Sequence, residues 1–88
     1  MKKIEIGIME YLPEEELSLI WENDFSIKVL GGDEIIIKAN CAGLTSLAKH
    51  FLTLAQDGVP SGSHIHLDEY NSLEEKSVDL IVERTDFI

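Results

Sequence analysis

Cysteine, basic residues and long apolar runs are all scarce in this chain, and each shortage closes off a class of explanation. Cys41 is the only cysteine among 88 residues, which excludes an internal disulfide and any cysteine-rich zinc site. No apolar stretch approaches the ~20 residues that a bilayer-spanning helix needs, and the opening MKKIEIGIME alternates instead of forming a continuous apolar leader. The expected location is therefore cytoplasmic. Only 7 bases stand against 17 acids, a formal charge of −10. A surface of that sign repels nucleic acid and anionic membrane and attracts basic partners. Internal repeats, low-complexity tracts and linkers are absent too, and residues 1–88 read as one domain with one modest core.

The elements are short and mostly legible. Residues 2–9 place Ile4, Ile6 and Ile8 on one face and Lys3, Glu5 and Gly7 on the other, the pattern of a half-buried strand. Pro13 and the three glutamates after it suit a helix start, whereas Leu17, Leu19 and Trp21 alternate. A helical turn passing into an extended piece is expected there. Two β-rich runs then flank Gly31, Gly32 and Asp33, whose glycines can take the positive φ of a tight hairpin. Ile27 and Val29 share one side of the first run, and Ile35, Ile37 and Ala39 share one side of the second.

Asn40 is a suitable N-cap for a helix from 41 to about 56, with Cys41 in its first turn and Gly58 and Pro60 ending it. At about 100° per residue, Leu44, Leu47, Ala48, Phe51, Leu52, Leu54 and Ala55 fall within an arc of roughly 160° and form the expected core face. Thr45, Ser46, Lys49, Thr53 and Gln56 fill the polar side, with His50 at its edge on the surface. Beyond the turn, HIHLD points Ile65 and Leu67 inward, and VDLIVER does the same with Val78, Leu80 and Val82. The predicted fold is α+β: an antiparallel sheet of about five strands with one long amphipathic helix packed on one face. The other face would carry His64, His66, Asp68, Ile36, Lys38, Ile81 and Leu30. Such a mixed surface suits a partner, or a homodimer through the open sheet face.

His64 and His66 sit two apart on one strand face, with Asp68 farther along. Two imidazoles on a strand do not make a ligand set, because a metal needs a full coordination sphere and an oriented second shell. No nucleophile motif accompanies them, and GGDEI leads into a strand, where a phosphate loop would lead into a helix. The expectation is a protein that is not an enzyme and holds no cofactor and no metal. One alternative is a homo-oligomeric domain binding a small ligand or metal at the His64/His66 face; another is a small enzyme using one of these histidines.

The run EIIIKANCAGLTSLAKHFLTLAQ, followed by GSHIHLDEYNSLEEKSVDLIVE, resembles the immunity protein 32 family. The resemblance rests on Asn40, Gly43-Leu44, Leu47-Ala48, His64, His66-Leu67-Asp68, Leu73-Glu74 and Ser77 taken together. Cys41-Ala42 and the N-terminal third depart from it. Such proteins accompany bacterial polymorphic toxin systems, so the resemblance implies a module that binds and blocks a cognate toxin. If that toxin is a nuclease its cleft is basic, and clustered carboxylates could occupy its phosphate positions. The expected partner-binding residues are His64, His66, Asp68, Glu69, Tyr70, Glu74, Glu75 and Asp79.

Overall fold

The computed structural model describes residues 1–88. Four short strands and one helix follow in the order β1 (Ile27–Leu30), β2 (Ile36–Ala39), α1 (Cys41–Leu54), β3 (His64–Leu67) and β4 (Leu80–Glu83). The α+β class holds, but the single five-stranded sheet does not. β1 pairs antiparallel with β2, and β3 with β4, in two separate two-stranded sheets.

The division has a local cause. Residues 74–78 run beside β1 in the same direction: Glu74 N–H donates to Ile27 O at 2.8 Å and Val78 N–H to Val29 O at 2.9 Å. Between them Lys76 takes a left-handed φ of 66°, and Val29 N–H donates to the Ser77 hydroxyl at 3.1 Å instead of to a carbonyl. A kinked backbone and a side-chain acceptor interrupt the regular ladder that would have joined the two sheets. The strap nonetheless occupies the edge of β1 and leads directly into β4.

The expected first strand is not formed. Residues 2–9 have no ladder partner and lack regular structure. Their anchor is the Gln56 side chain, which accepts from Tyr11 N–H at 2.9 Å and donates to Met9 O at 3.1 Å. Residues 17–21 likewise belong to no helix or strand. In the β1–β2 loop neither Gly31 nor Gly32 has a positive φ. A Cβ on Gly31 would make ordinary contact with both methyls of Val78 at 3.4 Å, so neither space nor φ demands glycine there.

Helix α1 begins as expected. Asn40 Oδ1 accepts from Gly43 N–H at 2.8 Å, and the same oxygen takes Ser26 N–H at 3.0 Å, while its Nδ2 donates to Asp24 O at 2.9 Å. One residue thus caps the helix and clasps the entry to β1. The buried face differs from the expected one: Gly43, Ser46, Leu47, His50, Thr53 and Leu54 point inward, whereas Leu44, Phe51 and Leu52 are exposed. At about 100° per residue the face is rotated by roughly 120°.

Close approach and internal hydrogen bonding explain the rotation. A Cβ on Gly43 would stand 2.6 Å from Ser26 O and 2.8 Å from Ile27 Cγ1, so glycine admits β1 directly onto the helix backbone. Ser46 and Thr53 donate their hydroxyls to Ala42 O (2.8 Å) and Lys49 O (2.7 Å) within the helix, and are buried with their polar groups satisfied. Leu47 joins Ile27, Val29, Leu67 and Leu73 in the core, with Trp21, Phe25, Ala39 and Leu80 packed around it.

His50, expected on the surface, is 0% exposed. Neither ring nitrogen has a hydrogen-bond partner. Trp21 meets the ring edge-on at 4.3 Å and stacks on Phe25 at 4.4 Å. Burial, and then the neighbouring charge of Lys49, hold the imidazole below its ordinary pKa. At the helix end, Arg84 donates to Leu54 O (3.0 Å), a carbonyl that the last turn leaves open, and to Gln56 O (2.6 Å) just beyond it.

Candidate partner-binding face

β3 follows the expected alternation. Ile65 and Leu67 are buried while His64 and His66 face outward. The β3–β4 register sets His64 opposite Glu83 and His66 opposite Ile81. It also brings Asp79, just before β4, to His66, whose Nε2 lies 2.9 Å from Asp79 Oδ2. His64 stands apart, with Nδ1 3.3 Å from Gly62 O.

The connection after β3 is built rather than slack. Asp68 Oδ1 accepts from Tyr70 N–H (2.9 Å) and Asn71 N–H (3.0 Å), an Asx turn. Asn71 answers by accepting from Asp68 N–H at 3.0 Å and donating to His66 O at 2.9 Å. Leu73 N–H returns to Asp68 O at 2.8 Å, and the Leu73 side chain is buried in the core. Glu69 accepts from Lys76 N–H at 2.9 Å, and Glu74 from the Ser26 hydroxyl at 3.0 Å. This web leaves Tyr70 at the crest, 90% exposed. The hydrogen-bonding Glu69 carboxylate, and then its charge, raise the phenol above its ordinary pKa, with Asp68 and Asp79 adding to the effect.

The structure therefore gathers Asp68, Glu69, Tyr70, Asp79 and His66 around one loop, ties Glu74 to β1, and leaves Glu75 exposed. His64 lies outside the gathering. The expected single open face is split as well, because Leu30, Ile36 and Lys38 belong to the other sheet. His66, Asp68 and Asp79 each offer a ligand-type atom within 4.8 Å of the others. Asp68 Oδ1 accepts two amides and Asp79 Oδ2 faces His66, so hydrogen bonds tie two of these three groups to each other and the third to its own loop. Asn71 is not among the expected site residues, although Asp and Asn are both residue types whose side chains build such turns.

Residues 34–85 match the immunity protein 32 family. The chain belongs to that family. No curated protein and no solved structure matches it. Everything gathered around Tyr70, from β3 through the Asx turn to β4, falls within the stretch that matches the family. No helix is long and apolar enough to cross a membrane.

Proposed function

We propose that this protein binds a cognate bacterial toxin directly in the cytoplasm and blocks it without performing catalysis, using the loop face centred on Tyr70. The observation that carries this reading is the exposed phenol on a loop fixed by its own hydrogen bonds and ringed by carboxylates. Exposed tyrosines on rigid supports are common anchors of protein interfaces, because little conformational freedom is lost when they bind. The ring of Asp68, Glu69 and Asp79, with His66 beside it and the exposed Glu74 and Glu75 following in the chain, suits a basic cleft such as that of a nuclease. Nucleic acid is not a partner on this reading, since the same charge repels it.

The test is affinity for the product of the neighbouring gene, the expected toxin. Tyr70→Ala should weaken binding at least about tenfold while leaving the melting curve unchanged, because a loss of ~1.4 kcal/mol is modest for an interface anchor. Glu75→Lys should slow association several-fold at low salt and only slightly at high salt, with dissociation little changed, since surface charge acts mainly on encounter. Unchanged affinity in Tyr70→Ala would remove this face from the interface.

A further inference from the structure

The phase of the β1–β2 ladder determines what β2 presents to solvent. Asn40 N–H donates to Ser26 O at 3.1 Å, which makes Lys28/Lys38 and Leu30/Ile36 the hydrogen-bonded pairs of this register. The amides and carbonyls of Ile35, Ile37 and Ala39 therefore point away from β1, and no other backbone bond reaches residues 33–39. The side chains there are also bare: Ile35 is 73%, Ile36 44% and Ile37 39% exposed. Three consecutive isoleucines on an unpaired edge, with no proline and no covering segment, lack most of the devices that keep sheet edges apart.

The other edges are treated differently. β1 is covered by residues 74–78. On β3, Asn71 takes up the His66 carbonyl. On β4 the outward Ile81 is flanked by Asp79 and Glu83, so an antiparallel copy centred on Ile81 would set acid against acid.

We propose that β2 pairs antiparallel with β2 of a second copy of this chain, about a two-fold axis through Ile36. In that register Ile36 faces Ile36, and Ile35 faces Ile37 in both halves. Ile35 and Ile37 are the residues whose outward amides can exchange hydrogen bonds, giving about four backbone bonds in all. Glu34 lies in the bend just before β2; when the pairing draws it into the ladder it comes opposite Lys38, twice, in pairs that share no backbone bonds. The hairpin's own sequence thus supplies the complementary charge, which favours a second copy over an unrelated strand.

The hairpin is also where like-charge repulsion between copies is weakest. Residues 27–39 carry Lys28 and Lys38 against Asp33 and Glu34, whereas residues 64–83 carry six acids against Lys76. Pairing through β2 leaves the Tyr70 loop free on both copies, because that loop continues into the strap on the far edge of β1. The resulting dimer joins two hairpins into one four-stranded sheet with a toxin-binding face at each end.

The experiment is sedimentation equilibrium of the full chain across the micromolar range, with a charge-exchange series. The parent should dimerise. Glu34→Lys alone and Lys38→Glu alone should each weaken dimerisation about tenfold or more by setting like charges opposite one another, and the double exchange should restore it. Ile37→Pro removes an amide that β1 does not use, and should yield a folded monomer by circular dichroism. A monomeric parent, or single exchanges that dimerise as well as the parent, would overturn the proposal. So would a monomeric parent whose affinity for the toxin falls with Ile37→Pro, since the edge would then belong to the toxin.

Discussion

The two sides of α1 invert the usual relation between polarity and burial. The inner side is lined by Gly43, Ser46, His50 and Thr53 with only Leu47 and Leu54 as large aliphatics, while the outer side shows Leu44, Phe51 and Leu52. Hydropathy alone would turn the helix over. What prevails is geometry and internal bonding: Gly43 lets Ser26 and Ile27 come onto the helix backbone, and the hydroxyls of Ser46 and Thr53, bonded to their own helix, carry little desolvation penalty. Where backbone elements come this close, residue size ranks above residue polarity.

Substitutions on the two sides test that ranking. Leu47→Ala should have the largest effect, a loss of about 3 kcal/mol in urea melts, because it opens a cavity among Ile27, Val29, Leu67 and Leu73. Gly43→Ala should cost about 2 kcal/mol by forcing a methyl against Ser26 O and Ile27, although alanine is the better helix former in isolation. A neutral or stabilising Gly43→Ala would show that the helix stands farther from β1 than described.

His50 should give an intermediate effect that depends on pH. Its folded-state pKa lies below the unfolded value of about 6.5, so the unfolded chain binds the proton more readily. The contribution of the neutral, buried ring is therefore complete above about pH 6.5 and lost as pH falls below it, by up to about 1.4 kcal/mol per pH unit until the folded-state pKa is reached. Lys49 opposes the imidazolium directly, while Glu22, which pairs with Lys49 at 3.1 Å, partly offsets that charge. His50→Leu should match or exceed the parent's stability at pH 7, and its advantage over the parent should widen toward pH 5. Parallel pH profiles for the two proteins would place His50 in contact with solvent.

Phe51→Ala should show the smallest effect on the fold, about 1 kcal/mol, since the residue is 44% exposed in an open groove that Val82 and Arg84 also line. A loss as large as that of Leu47→Ala would restore the hydropathy reading of the helix.

The amount of structure legible in the sequence follows from the range of each interaction. Asn40 as a cap, the helix that starts at Cys41 and the outward histidines of β3 are set by neighbours a few residues apart, and composition displays them. The helix face was hidden because Ser46 and Thr53 look polar until their hydroxyls are seen to be spent on Ala42 and Lys49. His50 was hidden for the converse reason, since nothing local announces that Trp21 will close over it. Residues 2–9 have the alternation of a strand but no neighbour to pair with, a fact that alternation cannot carry. At the candidate site the acidic run and Tyr70 were visible as a string, whereas the His66–Asp79 pair required the register of β3 against β4.

The strap along β1 has a kinetic meaning. The bond from Val29 N–H to the Ser77 hydroxyl closes a separation of 48 residues, whereas the β1–β2 hairpin and α1 close over short distances. Loop-closure entropy makes the distant contacts slow to form, and folding rates fall as such contacts come to dominate. The hairpin and helix are thus positioned to assemble first, and the Tyr70 loop takes its final shape only when the strap docks. Until that last step an emerging chain would present the β2 edge before it could present the finished Tyr70 loop, so copies synthesised close together could meet one another first.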